Sequence, residues 1–171
     1  MIDKLIALLG KSIESEEIKS LFTEWRAAYP EKTTCTVIGP GIKSKVEKDC
    51  VRLYFGIGGH SKYLKPIPSP WKDTFIAIFT TIEFTKKRKG GIPFDVEFVM
   101  TDDELTAILG KPEIVNYGSE SKTWRKTYKK KYELVVRDES FDDGTSNRTM
   151  HLSFKYEDGL STYEDYDMAT L

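Results

Sequence analysis

Along the first 29 residues the apolar positions recur at helical spacing. Ile2, Leu5, Ile6 and Leu9 fall on one face, and Gly10 stands where a left-handed C-terminal cap is wanted. Ile18, Leu21, Phe22, Trp25, Ala28 and Tyr29 repeat the period, with Ser12 and Ser15 as candidate N-caps and Pro30 as the stop. The spacing predicts a helical hairpin with one apolar stripe.

From about residue 46 the period changes to two. Val51, Leu53, Phe55 and Ile57 alternate with Cys50, Arg52, Tyr54 and Gly56, the pattern of a half-buried strand. Gly56 to Pro70, rich in glycine and proline, reads as a loop. Phe75 to Phe79 is apolar on both faces, as in a central strand covered on both sides, and Ile82 and Phe84 continue it with one apolar face. After a basic loop, Lys86 to Gly91, the residues Phe94, Val96, Phe98 and Met100 alternate with Asp95 and Glu97, which predicts the second arm of an antiparallel hairpin.

Thr101 and Glu104 then form a capping box for a short helix, with Leu105, Ile108 and Leu109 on its buried side and Gly110 and Pro112 at its end. Three further strands are expected, at Trp124 to Tyr128, at Tyr132, Leu134 and Val136, and at Met150, Leu152, Phe154 and Tyr156, with Asp142-Asp143-Gly144 in a turn. The elements add up to an α+β fold. It is expected as an antiparallel twisted β-sheet of about five to seven strands, with the N-terminal helical hairpin and the short additional helix packed on it. Residues 1–156 read as a single domain and 157–171 as an acidic C-terminal tail.

Composition narrows the function. At 171 residues the chain is long enough to bury a core without staples. Its 26 basic and 27 acidic residues nearly cancel, so neither nucleic acid nor an anionic membrane is the default partner. The longest apolar run, Phe75 to Phe79, is too short to span a bilayer, and Met1 to Lys4 lacks the features of a signal peptide, so a cytoplasmic protein is expected. Cys35 and Cys50 occur without a CxxC or a histidine at metal-ligand spacing, and both are expected as reduced, packed thiols. Neither a metal nor a cofactor is expected.

Candidate chemistry is sparse. His60, in Gly58-Gly59-His60, could act as a base with Cys35 or Cys50 as nucleophile, but no nucleophile elbow accompanies it, and a surface-loop histidine is the favoured reading. His151 is in register with Thr149, Ser153 and Lys155, a polar strand face, and is expected to be exposed. The glycines form neither GxGxxG nor GxxxxGK[ST]. Asp138, Glu139, Asp142 and Asp143 lack the EF-hand spacing, which leaves a solvated acidic loop able to meet a basic partner. No catalytic apparatus is expected.

Lys122, Arg125, Lys126, Lys129, Lys130 and Lys131 interleave with Trp124 and Tyr128. Such a stretch could be a single-strand nucleic-acid platform, a lysine-guarded edge strand, or an edge that a partner strand extends. The guarded edge is favoured over nucleic acid, and every one of these readings puts the stretch at the surface.

The opening helix ending Leu8-Leu9-Gly10, the strand Val51 to Phe55, Gly91-Ile92-Pro93-Phe94, the unit Thr101 to Pro112 and the late Trp124 before two strands occur in an order that resembles small immunity proteins of bacterial polymorphic toxin systems. Over residues 1–156 the chain looks closest to those of contact-dependent growth inhibition, in a group opposing nuclease toxins. The resemblance implies a cytoplasmic protein that binds the toxic C-terminal domain of its cognate adhesin one to one, accepting a toxin β-hairpin into its own sheet. Trp71, Trp124, Arg125 and Tyr128, with the acidic Asp138, Glu139, Asp142 and Asp143, are nominated as partner-binding residues on physical grounds, aromatic and arginine anchors beside complementary charge.

Overall fold

The structure is a computed structural model that describes residues 1–36, 41–57, 66–69, 73–116, 120–141 and 143–154. His60, Trp71, Asp142 and the acidic tail lie outside the described residues.

Two helices open the chain, α1 (Ile2–Leu8) and α2 (Glu16–Glu24). The Ser15 side chain accepts from the Ile18 amide and caps α2, as the spacing predicts, while Gly10 takes φ 90° just beyond α1. Helix α2 is shorter than expected: Trp25 is its C-cap and Arg26 turns left-handed at φ 53°, which ends the helix well before Pro30. Tyr29 instead folds back and its hydroxyl donates to the Ile13 carbonyl at 2.9 Å.

Nine strands follow among the described residues: β1 (Thr34–Thr36), β2 (Ile42–Lys48), β3 (Val51–Gly56), β4 (Thr74–Ile76), β5 (Ile78–Phe84), β6 (Glu113–Asn116), β7 (Glu120–Tyr128), β8 (Tyr132–Ser140) and β9 (Ser146–Phe154). Seven of them form one antiparallel sheet in the order β2-β3-β5-β9-β8-β7-β6, and β1 and β4 form a separate two-stranded ladder. The expected α+β architecture with an antiparallel sheet is what the chain adopts. The run Phe75 to Phe79, expected as one central strand, is divided at Ala77, with β4 pairing with β1 and β5 joining the large sheet. Segment 10–13 continues the large sheet here, since Gly10 and Ile13 donate to the carbonyls of Phe79 and Ala77 at 2.7 and 2.8 Å.

The hairpin arm expected at Phe94 to Met100 is not a strand. Pro93–Asp95 makes a single 3-10 turn, with Phe94 and Asp95 at φ 64° and 55°, a left-handed conformation that no strand tolerates. Its alternation has another cause: the segment lies across the core, with Ile92 and Val96 buried and Phe94, Phe98 and Met100 packed against the cluster. Helix α3 (Asp102–Leu109) follows with the expected capping box complete in both directions.

The sheet has two unlike faces. Val51, Leu53, Phe55, Ile82, Phe84, Met150, Leu152, Leu134, Val136 and Trp124 point one way and join Leu5, Ile13, Ile18, Leu21 and Leu105 in one apolar cluster. All three helices therefore lie on this covered face. Arg52, Tyr54, Thr81, Glu83, His151, Ser153, Glu133, Arg137 and Arg125 point to the opposite face, away from the helices. Among the described residues no helix is long and apolar enough to cross a membrane.

Candidate functional site

The basic-aromatic stretch is where structure and expectation part most clearly. Strand β6 pairs only with the first four residues of β7, from Glu113↔Thr123 to Asn116↔Glu120, so among the described residues Trp124 to Tyr128 has no strand on its outer side, as in the guarded-edge reading, but its side chains are not all at the surface. The even-numbered residues of β7 face the helices, and α3 lies along them. Lys122 Nζ reaches Asp102 Oδ2 at 2.7 Å at the start of α3, Trp124 Nε1 donates to Thr106 Oγ1 at 3.1 Å in its middle, and Lys126 Nζ donates to the Ile108 carbonyl near its end. An acid at the helix N-terminus and an ammonium at its C-terminus both match the helix dipole.

Trp124 is fully buried, which corrects its nomination as a surface anchor. Tyr128 is half-buried against Phe94, ring centroids 5.6 Å apart, on the same covered face. Most of the basic side chains have partners as well. Lys122 is held by Asp102 and then Glu120, and Lys129 by Asp3, interactions that raise both ammonium pKa values above the ordinary lysine range. Arg125 is exposed on the open face and bridges to Glu133 at 3.1 Å. The stretch works chiefly as a rail for α3, which leaves less of it for a nucleic-acid strand.

The acidic nominees also separate. Asp138 is no loop residue: it sits in β8 opposite Arg148 of β9, whose Nε donates to its Oδ1 at 2.6 Å and whose Nη2 reaches its Oδ2. The same guanidinium donates to the carbonyls of Phe98 (3.1 Å) and Met100. This half-buried pair thus fastens the irregular 92–100 segment to the sheet, and Asp138 is not free to meet a partner. Glu139, on the open face, pairs with Arg137 at 2.8 Å. Asp143 is exposed but occupied, its Oδ1 accepting from the Thr145 amide (2.9 Å) and hydroxyl (2.6 Å), which holds its carboxyl below the usual carboxylate range.

What the sequence reading missed is β6. This four-residue strand ends the sheet and is exposed at every position, with Ile114 and Val115 55% and 38% accessible. By register Ile114 lies in the row Lys122–Asp138–Arg148 on the covered side, and Val115 in the row Ser121–Glu139–Asn147 on the open side. Two other exposed apolar residues belong to this end of the sheet. Val99, 85% accessible, is flanked by the two carbonyls that Arg148 holds, and Phe141, 43% accessible, follows the last β8 residue paired with β7. The signal was available in Ile114-Val115 directly after the Pro112 helix stop, but a two-residue apolar pair carries no period.

A cavity of about 600 Å³ opens on the other side of the sheet, where Cys35 and Thr36 of β1 approach Tyr54, Glu83, His151 and Ser153. Glu83 and His151 are direct cross-strand neighbours in one row that runs Arg52–Glu83–His151–Val135–Arg125. Tyr54 donates its hydroxyl to Glu83 Oε2, and an Arg52 guanidinium nitrogen lies 3.7 Å from Glu83 Oε1. His151, expected to be exposed, is half-buried. Burial, then the neighbouring Arg125 charge, lowers its pKa below the ordinary histidine value, opposed by Glu83. Cys35 is a buried free thiol whose pKa burial pushes up, so it is poorly suited as a nucleophile, and Cys50 is also free. Among the described residues no cluster of three or more His, Cys, Asp or Glu could hold a metal ion.

The His151 shift has a consequence for stability. A folded pKa below the unfolded value near 6.5 makes the neutral ring stabilising. That contribution is complete above the unfolded value and is lost as pH falls from there through the lower folded value. Chemical denaturation of the wild type and His151→Gln is expected to show the wild type losing stability relative to the variant as pH falls from about 7 to 5. Parallel curves would contradict the burial of the ring.

No protein-family model matches the chain, and neither a curated protein nor a solved structure matches it.

Proposed function

We propose that the chain is an immunity protein that binds a nuclease-type toxin domain one to one in the cytoplasm of the producing cell, and neutralises it by covering its working surface without catalysis of its own. The observation that supports binding most strongly is β6, a terminal strand exposed along its whole length with two β-branched apolar residues at its centre. An edge strand offers backbone N–H and C=O groups to another strand, and protein edges are usually guarded by lysine, proline or a covering loop. Here the middle of the edge is Ile114-Val115. A partner β-hairpin laid on β6 would extend the sheet and cover both side chains. Val99 and Phe141 add apolar area to the same end.

The nature of the partner rests on the resemblance of residues 1–156 to immunity proteins of contact-dependent growth inhibition. Such a role requires tight binding, because one uninhibited toxin molecule can do damage. Exposed charge around the edge, Glu113, Glu120 and Arg137, is suited to steering a cognate partner and rejecting others.

The test is co-expression with the toxin domain encoded immediately upstream, followed by co-purification and growth. A stable one-to-one complex with restored growth is the expected result; no complex and no protection would overturn the proposal. In the variant carrying Ile114→Lys and Val115→Lys, stability should stay within about 0.5 kcal/mol per exposed site. Its affinity for the toxin should fall at least about tenfold, roughly 1.4 kcal/mol.

A further inference from the structure

The cavity on the open face is not used by an edge-strand interface, and its lining has a definite chemical character. Its volume of about 600 Å³ is in the range of small-ligand sites. Among the described residues, the lining mixes hydroxyl groups, from Thr81, Thr149, Ser153 and Tyr54 on the sheet and Thr36 on β1, with the apolar Phe55, Ile57 and Cys35. The charges beside it are matched within the chain, Glu83 by Arg52 and Arg125 by Glu133. Among the described residues these pairs leave no surplus charge of either sign at the cavity.

His151 supplies the second observation. Its ring is half-buried at the cavity wall, and among the described residues it makes no hydrogen bond with the protein. A half-buried polar ring at the wall of an open cavity takes its hydrogen bonds from whatever fills that cavity, from water or from a ligand that displaces it. The neutral imidazole can donate through one nitrogen and accept through the other. Beside it, Glu83 is already oriented by Tyr54 and Arg52, which leaves further lone pairs to accept from a hydroxyl donor. An oriented carboxylate, an imidazole with two roles, a phenol ring and several aliphatic hydroxyls make a lining that both gives and takes hydrogen bonds at neutral net charge.

We propose that this cavity binds a small neutral polyhydroxylated ligand, of the monosaccharide class, with Glu83 and His151 contacting its hydroxyl groups. An anion would meet the Glu83 carboxylate, and a cation would compete with Arg52 for it. A purely apolar ligand would displace water from the His151 ring and give it no hydrogen bond in return. The site stands apart from β6, and its test uses the chain without any toxin, so it fails or holds independently of the immunity reading.

With two histidines in the chain, the ring Cε1–H spectrum of uniformly ¹³C-labelled protein contains one His151 signal and one His60 signal, and His151→Gln tells them apart. Titration with ribose, glucose and N-acetylglucosamine, with inorganic phosphate as the anionic probe, is expected to move the His151 signal saturably with at least one sugar and not with phosphate. Glu83→Gln and, separately, Thr81→Val, close in shape to the residues they replace, should each weaken that binding at least about tenfold. A His151 signal that none of the sugars moves up to tens of millimolar would overturn the proposal. Movement by phosphate alone would do the same, as would sugar binding unchanged in both variants.

Discussion

Replacing Trp124 by alanine is expected to destabilise the fold by about 4 kcal/mol, within the usual range for truncating a buried aromatic residue. The side chain is fully buried, and its indole N–H is satisfied by Thr106 Oγ1 at 3.1 Å, so truncation opens a cavity and also removes a hydrogen bond. The loss falls between β7 and α3, where Lys122 and Lys126 flank it on the same strand face. Because domains of this size are stable by about 5–15 kcal/mol, the variant should remain folded but with a sharply lower urea midpoint. Trp124→Phe, which keeps most of the volume and loses the donor, should cost much less, about 1–2 kcal/mol. Were Trp124 a surface anchor, both variants would fold with wild-type stability and lose only partner binding.

The second large effect belongs to Arg148. Arg148→Met keeps the aliphatic stem but removes the guanidinium that serves Asp138 and the carbonyls of Phe98 and Met100. The two ionic side chains are 14% and 18% accessible, so the expected loss is about 2–3 kcal/mol, just below that of a fully buried pair broken from one side. Asp138→Asn in the Arg148→Met background should recover part of it, since the stranded carboxylate is then gone. The double-mutant cycle reads this directly, and additive effects would mean that the two groups do not interact. Amide exchange should also quicken in 92–100, because that segment is tied to the sheet through the same side chain.

How far the fold could be read from sequence depended on whether a signal was local. The capping box at Thr101 and Glu104 was legible because both halves lie within one turn. Strands β3, β7, β8 and β9 were legible because each is long enough to show a period and half-buried enough to need one. Phe94 to Met100 had the period without the backbone: left-handed φ at Phe94 and Asp95 is invisible in a pattern of side-chain polarity, and burial against a core also alternates.

The candidate site was harder, for a related reason. Trp124 stands among lysines, which read as surface, yet their ammonium groups reach along α3 to its two ends while their stems cover the core. Asp138 and Glu139 are adjacent in sequence but face opposite sides of the sheet, so an acidic cluster in one dimension became a half-buried ion pair and a residue on the opposite face in three. Strand β6 is too short to carry a period, and its place at the sheet's edge is decided by pairing with β7. His151 was assigned to the correct face, but that its row lies at the wall of a cavity near β1 depends on contacts distant in sequence.

The central claim, that a partner adds its own strand to β6, is tested most directly by amide hydrogen exchange of Glu113 to Asn116 in the free chain and in the co-purified toxin complex. A four-residue edge strand paired on one side exchanges its outward amides quickly when free. In the complex those amides are expected to slow markedly while β3 and β5 in the sheet interior change little. A stable complex in which Glu113 to Asn116 exchange as fast as in the free chain, with protection appearing elsewhere, would contradict the account.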